Sequence, residues 1–135
     1  TDRIGPTAAL ATIRKYLNTN AHLKINTVGA EVKRMWRDKA NKHGIDINIS
    51  GIDPLPAFSF NASHAQNMYA AFVREMLALN ILGFRQFKPS LAHGMEEVKT
   101  YAYAVDGVFE KIRNMSEEEL EAVNPAHSGF YRLTS

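Results

Sequence analysis

The turn Ser90-Leu91-Ala92-His93 carries the residues best suited to chemistry, because it places a hydroxyl and an imidazole three positions apart. Nucleophilic catalysis uses such a pair, with the imidazole accepting the proton of the hydroxyl. The turn lacks the Gly-x-Ser-x-Gly pattern of a nucleophile elbow, however. A hydrogen bond that fixes the loop is therefore the favoured interpretation of Ser90 and His93.

Other motifs with a chemical meaning are missing from the sequence. None of the five histidines has another histidine three or four positions away, so a helical zinc site is not expected. Neither glycine-rich phosphate-binding pattern, G-x-x-x-x-G-K or G-x-G-x-x-G, occurs. The basic stretch from Lys33 to Lys42 spreads around a predicted helix beside Glu31 and Asp38, which favours a solvated face over a nucleic-acid footprint.

Composition sets the class of protein. A chain of 135 residues with 45% hydrophobic and 22% charged residues is typical of one soluble globular domain. The net charge of +2 is too small to indicate a nucleic-acid or membrane partner, and no apolar run approaches the roughly 20 residues of a membrane span. The absence of cysteine fits a cytoplasmic location. The abrupt start at Thr1, without a signal peptide, predicts a domain excised from a longer chain.

Apolar periodicity predicts eight elements in the order α-α-β-β-α-β-α-α. The clearest strand signal is Ile45 to Ser50, where apolar and polar residues alternate. The predicted strands are 45–50, 57–60 and 81–87. The first three predicted helices are 8–17, 21–43 and 64–80. A fourth helix of about 18 residues ends near Ile112, and a short fifth helix follows a capping box at Ser116. We therefore predict an α+β fold with a small three- to four-stranded, mainly antiparallel sheet covered on one face by helices.

The segment Phe72 to Ile112 resembles a known family. Its helix ends in Met76-Leu77, and the Pro89-Ser90-Leu91-Ala92-His93 loop and the Glu96-Glu97-Val98 helix start follow. This order is similar to the C-terminal small domain of class III pyridoxal-phosphate aminotransferases, most of all glutamate-1-semialdehyde aminomutase. At the other end, Thr1 lies five residues before Pro6, as a threonine does in that family. The resemblance implies an entry segment and helix at 1–20, a small domain at 21–115, and a short helix and tail at 116–135.

What the resemblance implies is a part of a dimeric enzyme that transfers amino groups through pyridoxal 5'-phosphate. Thr1 would bind the cofactor phosphate of the opposite subunit, and the loop with Phe87, Ser90 and His93 would face the substrate cleft. The domain would close that cleft over a small amino or keto substrate and support the homodimer. The Schiff-base lysine of the family belongs to a large domain upstream of Thr1, and none of the eight lysines here matches it. The fragment alone is therefore expected to be inactive, with no catalytic residue and no metal of its own.

The family pattern has a threonine after the histidine, where this chain has Gly94. Glycine at a helix N-cap costs only about a few tenths of a kcal/mol, so the following helix is expected to persist. The alternative hypothesis is a free-standing, non-catalytic α/β binding or interaction module, since no self-contained catalytic set is visible. The two hypotheses differ in whether a large apolar surface is left for a missing domain to cover.

Overall fold

A computed structural model describes residues 2–124 of the chain. Within this range the structure has five helices and two strands, and the predicted α+β class is confirmed. The helices are α1 (Ile4–Asn18), α2 (Ala21–His43), α3 (Ala65–Ala78), α4 (Met95–Asn114) and α5 (Glu117–Glu121), and the strands are β1 (Ile47–Ser50) and β2 (Ala57–Phe60).

The two strands form an antiparallel hairpin with one apolar face. Ile47 pairs with Phe60 and Ile49 with Phe58, and both phenylalanines are buried. The intervening positions, such as Ser59, are exposed. The alternation in the sequence is thus the alternation between the two faces of the sheet, as predicted.

The predicted third strand at 81–87 is wrong for most of its length. Asn80 adopts a left-handed conformation with φ of 60°, and the Gly83 N–H donates to the Ile81 carbonyl at 2.8 Å. This bent backbone cannot pair as an extended strand. The segment reaches the sheet only at Gln86, which forms an isolated antiparallel bridge with Ala57. Over residues 2–124 the sheet therefore has two strands instead of the three to four predicted.

The core lies between the hairpin and the layer of α2, α3 and α4. Each contributes a large ring that is fully buried: Trp36, Phe58, Phe72 and Phe109. The Phe58 ring lies at the centre of this group, with centroids 4.9 Å from Trp36 and 5.3 Å from Phe72. Close-packed aromatic side chains of this kind contribute much of the stability of a small domain.

Two predicted helix ends are confirmed. Gly44, which follows α2, has a φ of 62° and its N–H donates to the Asn41 carbonyl. At α5, the Ser116 hydroxyl accepts from the Glu119 N–H at 3.2 Å, while the Glu119 carboxylate accepts from the Ser116 N–H at 2.8 Å. The predicted tail at 126–135 lies outside the described residues.

Helix α1 is unlike the others because none of its residues is buried. Leu10, Ile13 and Leu17 form an apolar stripe along one face of α1, and all three are exposed. The joint to α2 is Asn20, with a left-handed φ of 48°. An isolated helix of about this length is marginally stable in water. No other described residue covers the apolar stripe of α1, so this surface is available for a further contact.

No helix between residues 2 and 124 combines the length and the hydropathy that crossing a membrane requires.

Candidate functional site

The candidate site is built around the segment 84–94, called here the loop. Its first half is fastened to the edge of the sheet by two backbone hydrogen bonds. The Phe58 N–H donates to the Arg85 carbonyl at 2.9 Å, and the Phe87 N–H donates to the Pro56 carbonyl at 3.0 Å. The loop therefore starts from a fixed position beside β2.

The second half of the loop is held by the Ser90 and His93 pair. The Ser90 N–H and the Ser90 hydroxyl both lie 3.0 Å from His93 Nδ1, and the hydroxyl oxygen accepts from the Ala92 N–H at 3.3 Å. Nδ1 is therefore an acceptor, which places the ring proton on Nε2. The predicted loop-fixing hydrogen bond is present, and the Nδ1 lone pair is already used by a backbone N–H. This arrangement does not favour His93 as a base for Ser90.

Lys24 ties the loop to α2. Its ammonium donates to the Leu91 carbonyl at 2.8 Å, across 67 positions of sequence. Leu91 lies at the tip of the turn between Ser90 and His93. The loop is thus fixed both by its own side chains and by the first turns of another helix.

The start of α4 closes the loop. Gly94 has no side-chain cap to offer, but its N–H donates to the Glu97 carboxylate at 2.7 Å. Hydrogen bonds from the backbone N–H of Glu97 and from Gly94 hold the pKa of Glu97 below its ordinary value. The expected persistence of this helix without a capping threonine is confirmed. Glu97 is ionised at neutral pH.

An aromatic row connects the loop to the core. The Phe87 ring centroid lies 5.0 Å from the His93 ring and 5.2 Å from the Tyr101 ring. The Tyr101 hydroxyl accepts a hydrogen bond from the indole N–H of Trp36 at 3.1 Å. Burial raises the pKa of Tyr101 well above its ordinary value, so the phenol is neutral. Through this row of aromatic rings the loop packs against the core.

A cavity of about 420 Å³ opens between the loop and α4. Its floor is aromatic, and its open edge carries apolar side chains such as Leu82, which is 92% exposed. Gly83 in its wall packs so closely that an added Cβ would lie 2.7 Å from Met76 Cγ. The lining is Ile81, Leu82, Gly83, Phe84, Gln86, Phe87, His93, Glu96, Glu97, Thr100 and Tyr101.

Two of the three predicted cleft residues, Phe87 and His93, line this cavity, while Ser90 is hydrogen-bonded to His93 Nδ1. Thr1 lies outside the described residues. No lysine is among the lining residues, and lysines elsewhere in the described part, such as Lys33 beside Asp53 at 2.9 Å, are engaged in ion pairs or exposed. The residues 2–124 therefore do not by themselves fit a pyridoxal-phosphate site, because none places an amine where a Schiff base could form.

Sequence patterns did not identify Lys24 or Tyr101 as parts of the site. Lys24 is one of many charged residues on α2, and nothing in the sequence connects it with Leu91. Tyr101 lies on the buried face of α4 and also lines the cavity. Glu97 lies in the first turn of α4, where a carboxylate is favourable, and it also lines the cavity.

No protein-family model matches the chain, and no curated protein sequence matches it either. A solved structure does match: the FumI protein of Sphingopyxis sp. MTA144 in its PLP internal aldimine form, with a TM-score of 0.72 and 19% sequence identity. The alignment covers 87% of this chain but only 28% of the FumI chain. The two proteins thus share the fold of this region, and this chain spans little more than a quarter of the neighbour's length.

Proposed function

We propose that this chain is the small domain of a pyridoxal-phosphate enzyme of the class III aminotransferase type, similar to glutamate-1-semialdehyde aminomutase. The observation that carries the proposal is the match of 87% of the chain to 28% of a protein solved as a PLP internal aldimine. The sequence resemblance from Phe72 to Ile112 leads to the same group of enzymes independently of that match.

The exposed apolar surface supports a missing partner domain. α1 buries none of its residues, and Leu82 and Phe84 at the cavity edge are at least half exposed. The Lys24–Leu91 bond joins the first turn of α2, next to α1, to the loop. The exposed helix α1 and the loop beside the cavity therefore both connect to the N-terminal end of α2. A large domain that docks there would cover the apolar stripe and complete a cleft.

In this proposal the loop with Phe87, Ser90 and His93 is the small-domain wall of the substrate cleft. Thr1 binds the phosphate of the cofactor held by the opposite subunit of a homodimer. The cofactor supplies the electron sink for amino-group transfer, while the reacting lysine comes from the large domain. The substrate is a small amino or keto compound, and the enzyme works in the cytoplasm. Aminomutase activity, rather than transamination, follows from the sequence resemblance alone.

The test is a longer chain that includes the reading frame upstream of Thr1, purified with pyridoxal 5'-phosphate. We expect a yellow protein whose visible absorbance disappears on borohydride reduction, as an internal aldimine requires. Thr1→Ala should weaken cofactor retention, while Thr1→Ser, which keeps the hydroxyl, should restore it. A colourless extended chain, or an upstream sequence without a lysine in a corresponding place, would refute the proposal.

The alternative is a free-standing binding or interaction module. It predicts that the chain covers its own apolar surface, whereas α1 is exposed along its whole length in the structure. A 135-residue chain that is monomeric, binds no hydrophobic dye and resists proteolysis within α1 would favour the module. Self-association and dye binding would favour the docked domain.

A further inference from the structure

The N-terminal end of α2 is the point where α1 and the loop come together. Asn20, the left-handed residue before α2, donates its N–H to the Leu17 carbonyl of α1 at 3.2 Å, and its own carbonyl accepts from the Leu23 N–H of α2 at 3.0 Å. The ring centroids of Tyr16 in α1 and His22 in α2 are 6.0 Å apart. The last turn of α1 therefore supports the first turn of α2.

This first turn of α2 has little support of its own. The Asn20 side chain makes no capping hydrogen bond, so the first N–H groups of α2 are not held by a cap at that residue. Ala21 is buried, whereas residues 22–24 are exposed. The residues that α2 contributes to the core cluster begin at Val28 and Val32. We therefore expect the first turn of α2 to fray when α1 unfolds.

Lys24 ends this turn and binds the loop. Its ammonium donates to the Leu91 carbonyl at 2.8 Å, and Leu91 lies between Ser90 and His93. Helix α1, which supports the turn, buries none of its residues, and an isolated helix of 15 residues is marginally stable in water. The position of the Lys24 ammonium thus depends on a helix that is itself marginal.

We propose that Lys24 is a positioning residue that makes the geometry of the loop depend on whether α1 is folded. When α1 is helical, the first turn of α2 is complete and the Lys24 ammonium reaches the Leu91 carbonyl. When α1 unfolds, that turn opens, and the tip of the loop keeps only the hydrogen bonds within the loop, such as those between Ser90 and His93. Because such coupling is reciprocal, a ligand that fixes the loop also stabilises α1.

As a statement about an enzyme, this inference rests on the proposed function, in which a large domain covers α1 and the loop is one wall of the substrate cleft. Docking of that domain on α1 then holds the wall in place through Lys24. The dependence of the loop on α1 is a property of the 135-residue chain itself, so it can be measured without the cofactor and without the large domain.

The test is a double-mutant cycle on the ¹⁵N-labelled 135-residue chain, followed by amide hydrogen exchange at 90–93. Ala11→Gly lowers the helix propensity of α1 at an exposed position and removes no buried contact. It should speed the exchange at 90–93 about two- to fivefold, while the midpoint of urea denaturation stays unchanged. In a Lys24→Met background, where the ammonium is already missing, the same change should have no further effect.

Ala11→Pro, which interrupts α1, is the stronger variant of the same test, and far-ultraviolet circular dichroism measures the lost helix. Ala30→Gly is the matched control. It replaces another exposed alanine, in the part of α2 that the core holds, and should leave the exchange at 90–93 unchanged.

Unchanged exchange at 90–93 after α1 is broken would overturn the inference, as would an acceleration by Ala30→Gly that equals that by Ala11→Gly. Equal acceleration with and without the Lys24 ammonium would show that α1 acts on the loop by another route, and would remove Lys24 from its proposed role. These results are separable from the test of the proposed function. A colourless extended chain refutes only the cofactor assignment, and a loop that does not respond to α1 refutes only this coupling.

Discussion

The indole N–H of Trp36 donates a hydrogen bond to the hydroxyl of Tyr101 at 3.1 Å, and both residues are buried. Trp36 belongs to the core against Phe58, and Tyr101 contacts Phe87 of the loop. The bond therefore joins a fully buried ring of the core to the wall of the candidate site. Packing in the core and geometry at the cavity depend on the same pair.

Replacing Tyr101 by phenylalanine should leave the Trp36 N–H buried without an acceptor. We expect a loss of about 1–3 kcal/mol in the free energy of unfolding, measured by urea denaturation. Tyr103→Phe is the control, because Tyr103 is 85% exposed and its change should stay within about 0.5 kcal/mol. Equal stability of the two variants would mean that the hydrogen bond is not important for the fold.

Gly29 and Gly107 lie within helices but in different surroundings. A Cβ on Gly29 would lie 1.6 Å from the Asp53 carbonyl oxygen, in the loop that joins the two strands, whereas a Cβ on Gly107 meets nothing within 4 Å. Gly29→Ala should therefore destabilise the protein by several kcal/mol, about 3 or more, despite the better helix propensity. Gly107→Ala should stabilise it by about 0.5–1 kcal/mol. Thermal denaturation of both variants decides, and a stabilised Gly29→Ala would contradict the close approach.

Asp106 is the acceptor for two ammonium groups and one imidazole near the end of α2. Its carboxylate lies 2.8 Å from the Lys42 ammonium, 2.7 Å from His43 Nε2 and 3.2 Å from the Lys39 ammonium. The hydrogen bond from Lys42, followed by those from His43 and Lys39, holds the pKa of Asp106 well below its ordinary value.

Because the folded pKa of Asp106 is lowered, its ionisation stabilises the fold above the unfolded pKa of about 3.9 and this contribution fades as the pH falls further. Asp106→Asn should cost about 1 kcal/mol at pH 7, since the group is partly exposed. The difference between the wild type and the variant should narrow below about pH 4. Urea denaturation at several pH values measures it. A difference that is constant from pH 7 to pH 3 would show that the charge is not involved.

Lys24→Met removes the ammonium that binds the Leu91 carbonyl but keeps most of the side-chain length. We expect faster amide exchange at 90–93 with little change in the free energy of unfolding, since the contact is exposed. Lys15→Met, in α1, is the matched control and should not affect the loop. Unchanged exchange at 90–93 in Lys24→Met would show that Ser90 and His93 fix the loop without help from α2.

Leu17 and Ile112 distinguish the exposed stripe of α1 from the core. Leu17 is 63% exposed and Ile112 is 2% exposed. Ile112→Ala should cost about 2–5 kcal/mol and Leu17→Ala less than about 0.5 kcal/mol in the isolated chain. A large cost for Leu17→Ala would show that α1 is already covered, for example by self-association, which sedimentation would detect.

Much of the fold follows from local patterns. Three local patterns have the same conformation in the folded domain that they favour on their own. They are the alternation around Ile47 and Ile49, the left-handed Gly44 and the capping box at Ser116. The segment 81–87 shows the opposite case. Its apolar residues satisfy a strand pattern, but the turn at Asn80 and the close contact of Gly83 with Met76 prevent it from lying flat against β2. Such contacts form only when segments pack against each other in the folded domain. The local sequence of one segment therefore does not predict them.

The candidate site divides in the same way. The Ser90–His93 bond spans three positions, so it could be predicted, because a short turn permits few arrangements. The Lys24–Leu91 bond spans 67 positions and follows from the packing of the whole domain. The cavity itself is the space left between the loop and α4, and no sequence pattern encodes an empty volume.

One left-handed residue, Asn20, joins α1 to α2, and its N–H donates to the Leu17 carbonyl while its carbonyl accepts from the Leu23 N–H. With 15 residues, α1 is about 22 Å long. A body that covers the apolar stripe of α1 would therefore reach, at one end of that helix, to within about one helical turn of Lys24, which binds the loop.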